Sequence, residues 1–157
     1  SVASPARDFA EGAWQPIIED EEALKAPDQV RRLVFCSGKV FVDMVNHDLR
    51  QNSPHTAITR IEQLYPIRWD LLNPTFERFP NLEEVVWLQE EPENMGAWDY
   101  IRTILESSVD SRWPLLQVSR PRASSPSEGS SAIHNRNQKK LIERAYTMGA
   151  FGNIEMN

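Results

Sequence analysis

Residues able to do chemistry gather where apolar runs give way to polar ones. Ser37-Gly38-Lys39 follows the run Leu33-Val34-Phe35-Cys36. Backbone N–H groups at the start of a helix favour anions, and Lys39 adds a formal charge. The longer glycine patterns of a phosphate loop or a dinucleotide fold are missing. Arg60 and Glu62 flank Ile61, so on an extended strand they share one face. Arg120 closes a further apolar run, 115–118. Ser37, Gly38, Lys39, Arg60 and Arg120 meeting in one cleft would suit a phosphate or a partner's carboxylate. The plainer alternatives are a tight turn with an exposed lysine and an arginine–glutamate pair that orders its own loop.

The stretch Gln89-Glu90-Glu91-Pro92-Glu93-Asn94-Met95-Gly96-Ala97-Trp98 reads differently. It starts as an acidic turn at the exit of an apolar strand and ends where a helix opens near Ala97. Glu90 and Glu91 do not make an acid–base pair, because adjacent residues of an extended chain point to opposite sides. Glycine permits close backbone approach, amides supply donors and acceptors, and Trp98 offers an aromatic anchor. Glu62, Gln89, Glu90, Glu91, Asn94, Gly96 and Trp98 are therefore expected to contact another domain or subunit. His47, His55 and His134 are scattered, with no second histidine or cysteine at ligand spacing, so no metal site is expected. His134 reads as a capping residue near a helix start. There is no Gly-x-Ser-x-Gly elbow, and no catalytic residue is assigned.

The bulk properties narrow the function classes. With 157 residues the chain supports one compact domain. Its 17 basic residues are outnumbered by 23 acidic ones, which argues against a duplex-nucleic-acid binder. No apolar run approaches the roughly 20 residues of a membrane span. The single cysteine, Cys36, excludes an internal disulfide and a multi-thiolate metal site, and reads as a small buried hydrophobe.

Residues 1–28, with Pro5, Pro16, Pro27 and the acidic run 19–22, read as an extended lead-in anchored by Phe9, Trp14, Ile17 and Ile18. Residues 29–150 form one domain, and 151–157 a tail. Strands are expected at 33–36, 57–61, 85–88 and 115–118. Helical stripes follow each of them: Val40, Phe41, Met44, Val45, Leu49; Trp69, Leu71, Leu72, Phe76, Phe79; Trp98, Ile101, Ile104, Leu105; and Leu141, Ile142, Ala145, Tyr146. His47 falls on the first of these helices, and Pro74 is tolerable only in the first turn of the second. Residues 122–131 form a serine- and proline-rich loop. Strand–helix alternation predicts an α/β fold, a mainly parallel sheet with helices on both faces. Val34, Phe35, Ile58, Ile61, Val86, Leu88, Leu116 and Val118 should be buried in it.

Read together and in order, Arg32 to Val40, Arg60-Ile61-Glu62-Gln63-Leu64-Tyr65-Pro66, Gln89 to Trp98, and Ser119-Arg120-Pro121 through Ser125-Pro126 closely resemble one family. It is the C-terminal domain of the thiamine-diphosphate-dependent first component of 2-oxoglutarate dehydrogenase. The resemblance runs from Phe9-Ala10-Glu11-Gly12 to Tyr146, and Gln89-Glu90-Glu91-Pro92 with Asn94, Gly96 and Trp98 is its most specific part. Val42, Ile67-Arg68, Ser119 and Arg122 depart from the usual pattern. The resemblance implies a transketolase C-terminal-domain-like fold and a longer chain with large domains upstream. It also implies thiamine diphosphate and Mg²⁺ bound outside this segment, a homodimer, and delivery of a succinyl group to a dihydrolipoyl succinyltransferase core. The compartment would be the mitochondrial matrix in a eukaryote and the cytoplasm in a bacterium. An effector site is also implied, since some members respond to adenine nucleotides or acyl-CoA. The equivalent domain of a 2-oxoadipate enzyme, or a free-standing nucleotide-binding α/β sensor module, is the alternative.

Overall fold

The computed structural model describes residues 6–109 and 111–149; the expected tail at 151–157 lies outside them. In chain order the elements are α1 (Ala6–Ala10), β1 (Ile17–Ile18), β2 (Arg32–Cys36), α2 (Lys39–Val45) and β3 (Thr56–Ile61). There follow α3 (Trp69–Glu77), β4 (Glu84–Pro92), α4 (Trp98–Val109), β5 (Leu115–Arg120) and α5 (Ser131–Tyr146). Among the described residues the sheet runs β1-β3-β2-β4-β5. All pairings are parallel except that of β1, which lies antiparallel on β3 with Ile17 opposite Ile61 and Ile18 opposite Arg60.

Period-two alternation sorts the strands onto two cores. Leu33, Phe35, Val85 and Trp87 face Leu72 and Phe76 of α3 and Ile101 and Leu105 of α4. Val34, Cys36, Val86 and Leu88 face Val40 and Met44 of α2 and Leu141, Ile142 and Ala145 of α5. Both faces are covered, which is why β2 reads as a continuous apolar run. Seven of the eight expected core residues are fully buried, and Leu116 is half-buried because β5 is an edge strand.

Local readings needed correction in four places. The acidic segment after Leu88 is not a turn: β4 continues through it to Pro92, past an irregularity between Leu88 and Pro92. Side-chain charge does not stop a backbone from pairing, and the turn begins only at Glu93, whose N–H reaches Arg120 O at 2.9 Å. Pro74 sits in the interior of α3 rather than its first turn. The carbonyl that loses a donor to the proline ring belongs to Asp70, at the helix's exposed start. His47 is not on a helix face; it precedes a 3₁₀ turn (Asp48–Asn52), and its Nδ1 accepts the Leu49 N–H at 3.2 Å. His134 does not cap α5, whose N-cap is Ser130; it lies in the first turn.

The lead-in is tied down by a carboxylate the acidic run concealed. Asp20 is buried, and its Oδ2 accepts the Ile58 N–H at 2.9 Å while Oδ1 takes Arg50 Nη2 at 2.6 Å. Where β1 stops, Asp20 supplies the acceptor that the edge of β3 lacks. Ile17 packs against the core, whereas Phe9 and Trp14 are 82% and 67% exposed.

Candidate functional site

From β2 the chain passes through α2 to β3; from β3 it returns through α3, on the opposite face, to β4 on the other flank of β2. The carboxyl ends of β2 and β4 therefore border the point where the winding reverses, the usual ligand crevice of an open α/β sheet. Ser37, Gly38 and Lys39 leave β2 there, and Gln89 to Pro92 lie beside them at the end of β4. Gly38 turns the backbone into α2 with φ +71°, a left-handed value that side-chain-bearing residues rarely adopt.

Each cation expected to receive an anion already faces an acid of this chain. Lys39 Nζ lies 2.5 Å from Asp43 Oδ2 and 3.7 Å from Glu90 Oε1. The Asp43 hydrogen bond is the main reason its pKa is raised. Arg60 Nε lies 2.9 Å from Glu62 Oε1, but not in line for a hydrogen bond, and its guanidinium stacks 4.7 Å over the Phe41 ring. Arg120 is buried; its Nη2 donates to Gln138 Oε1 at 2.9 Å and lies 3.3 Å from His134 Nδ1. Its Nη1 is 3.9 Å from Glu128 Oε2.

Gln138 joins these groups. Its Nε2 donates to Asp43 Oδ2 at 2.8 Å and to Glu90 Oε1 at 2.7 Å, while its Oε1 receives Arg120. Lys39 and Arg120 thus share one polar network, and Arg60 approaches it through Phe41 on the same helix as Lys39 and Asp43. Asp43 was legible at i+4 from Lys39. Gln138 and Asn137 on α5, and Glu128 in the loop before it, carried no signal, since a polar residue on a helix or in a loop reads as solvated until its neighbours are known.

The adjoining turn is built around Gln89. Its Oε1 accepts Trp87 Nε1 at 2.9 Å and the Trp98 N–H at 3.1 Å; its Nε2 donates to Pro92 O at 3.1 Å and Met95 O at 2.6 Å. Gly96 has φ +73°, and an added Cβ would come within 3.1 Å of both amide atoms of Gln89. Conformation and space both call for glycine. Asn94 holds the loop after β5, donating to Ala123 O at 3.0 Å and accepting the Ala123 N–H at 3.1 Å. Of the residues expected to meet another domain, Gln89 is buried and Trp98 half-buried against its own core, while Glu91, Asn94 and Gly96 are exposed. Glu90 turns toward Gln138 and Glu91 toward solvent, so the two carboxylates do diverge.

The charged groups of this arrangement are paired with one another. Cys36 is buried at the end of β2, and burial pushes its thiol up to about 12. Among the described residues no three His, Cys, Asp or Glu side chains are grouped to hold a metal ion. No helix among them is long and apolar enough to cross a membrane.

Fold and site together define an α/β domain whose switch-point crevice is lined by charges paired among themselves. Residues 3–146 match the family described as 2-oxoglutarate dehydrogenase C-terminal, and the chain belongs to that family. A 2-oxoglutarate dehydrogenase E1 component of Cupriavidus necator is 38% identical over 145 residues, 92% of this chain and 15% of the relative. Its counterpart in Shouchella clausii is 37% identical over 148 residues, 93% of the chain and 16% of the relative. That of Bacillus subtilis is 36% identical over 149 residues, 94% and 16% respectively. The chain therefore spans 15–16% of the length of the curated relatives it matches.

Proposed function

We propose that this chain is the C-terminal part of a thiamine-diphosphate-dependent enzyme that decarboxylates 2-oxoglutarate, and that it supports and regulates catalysis performed upstream. The match over residues 3–146, to one end of proteins about six times as long, carries this reading. The described residues do not fit a thiamine diphosphate–Mg²⁺ site. Among them no three His, Cys, Asp or Glu side chains are grouped to hold the Mg²⁺ that such a cofactor needs. Cofactor and metal are accordingly assigned to the upstream portion, and no chemical step is derived on this chain. A homodimer, and transfer to a dihydrolipoyl succinyltransferase core, belong to the same reading. The relatives reported above share the 2-oxoglutarate name, so neither the 2-oxoadipate enzyme nor the free-standing sensor is favoured.

The end of β4 and the turn after it, bearing Glu91, Asn94 and Gly96, are assigned to contact with the upstream domains or the second subunit, together with Glu62, Glu90 and Trp98. Gln89 serves that contact by shaping the turn from inside. Tyr65, 80% exposed, and Tyr100, 42% exposed, lie 6.2 Å apart between ring centres and present aromatic surface of the kind that interfaces favour. Ser37, Gly38, Lys39, Arg60 and Arg120 are assigned to an effector crevice for a phosphate-bearing anion. Deleting residues 29–149 from the full-length enzyme tests the supporting role. Dimer formation and 2-oxoglutarate turnover should both fall, and an undiminished enzyme would overturn the reading.

A further inference from the structure

The loop between β5 and α5, residues 121–130, is fixed at both ends by different means. At its start Asn94 holds Ala123 through two hydrogen bonds, and Arg122 approaches Glu93 at 3.4 Å. Near its end the carboxylate of Glu128 turns inward among Arg120, His134 and Asn137. Its Oε1 accepts Asn137 Nδ2 at 2.5 Å. Its Oε2 lies 3.5 Å from His134 Nδ1 and 3.9 Å from Arg120 Nη1.

That carboxylate stands where an incoming anion would stand, yet it fits poorly. Glu128 Oε2, Arg120 Nε and Asn137 Oδ1 are all buried without a hydrogen-bond partner in the protein. A buried ion pair offsets the cost of leaving water only when its geometry is good and its remaining lone pairs and protons are met. At 3.9 Å, with Nε idle, the Arg120–Glu128 pair meets neither condition. A phosphate presents several oxygens and accepts from a guanidinium in parallel, which Glu128 does not do here.

We propose that Glu128 is a built-in occupant of the Arg120 site, displaced when a phosphate-bearing anion binds, so that residues 121–130 act as a strap reporting occupancy. This rests on the effector-crevice reading above and adds its regulation. Because Asn94 grips the start of the strap, lifting its end changes the support of the Glu93–Gly96 turn assigned to interdomain contact. The signal needs no movement of the sheet.

The test uses full-length enzyme whose upstream thiamine diphosphate site is already filled, and inorganic pyrophosphate, followed by calorimetric titration and by trypsin cleavage after Arg122, whose side chain is 69% exposed. Glu128→Gln keeps an acceptor for Asn137 and removes the charge. It should tighten pyrophosphate binding at least about fivefold, since a unit charge at about 4 Å weighs that much even in water. Cleavage after Arg122 should rise on pyrophosphate addition in the parent, and be high without it in Glu128→Gln. Asn137→Ala, which removes the firmest bond to the carboxylate, should act in the same direction if the first variant folds poorly. Arg120→Gln should abolish the tightening. If Arg120→Gln weakens binding but Glu128→Gln and Asn137→Ala leave affinity and cleavage unchanged, the crevice stands and the strap is wrong. If neither parent nor Glu128→Gln binds pyrophosphate, both readings fall.

Discussion

At the amino end of the sheet Arg32 lies fully buried, and each nitrogen of its guanidinium has an acceptor. Nε donates to Ala145 O at 2.8 Å, Nη1 to Glu84, and Nη2 to Arg144 O at 3.3 Å. At the carboxyl end Arg120 is nearly as buried, yet its Nε has no acceptor and its acid stands 3.9 Å away. Arg32 meets the last carbonyls of α5, where a helix favours positive charge, and Glu84 also accepts the Gly149 N–H at 3.3 Å. One end uses an ion pair to fasten β2, β4 and α5 together. At the other, the buried pair of Arg120 and Glu128 stands open at 3.9 Å, the contact proposed above to yield to an incoming anion.

The largest expected effect breaks the fastened end. Glu84→Ala leaves Arg32 buried and unpaired, and should cost about 3–5 kcal/mol of stability in urea unfolding of the full-length enzyme. Burial holds the Arg32 pKa below its usual value, with Glu84 opposing the shift, yet a guanidinium stays protonated at neutral pH and would remain a buried charge. A loss below about 1 kcal/mol would mean that the two ends do not differ as argued.

A second, smaller effect titrates the same region. Tyr146, at the end of α5, is buried and donates to Met44 O at 2.7 Å; burial raises its phenol from 10.0 to about 12. The folded form holds its proton more tightly than the unfolded one, so its contribution is intact below pH 10 and lost as pH rises toward 12. Tyr146→Phe should flatten the fall in melting temperature across that window. An unchanged slope would remove this residue from the account.

The smallest effect sharpens the contrast at the carboxyl end. Lys39 is 62% exposed, so its pairs with Asp43 and Glu90 are largely screened by water. Lys39→Met should change stability by less than about 0.5 kcal/mol, while lowering the affinity for pyrophosphate. A stability loss as large as that of Glu84→Ala would make Lys39 part of the scaffold.

Much of this was open to reading from the chain alone. Alternating and continuous apolar runs placed Val34, Phe35, Ile58, Val86 and Leu88 in a covered parallel sheet, because strand periodicity is a local property of neighbouring residues. The polar motifs around Gly38, Arg60, Gln89 and Arg120 pointed to the family. What the polar residues do was settled only by folding. Gln138 meets Glu90 across 48 positions and Asp43 across 95, and Arg32 meets Ala145 across 113. The extension of β4 to Pro92 and the burial of Asp20 depend in the same way on partners distant in the chain. Hydrophobic burial asks only which face a residue is on, and sequence spacing answers that. A hydrogen bond or ion pair asks which atom stands within about 3 Å and at what angle, and only the tertiary structure supplies it.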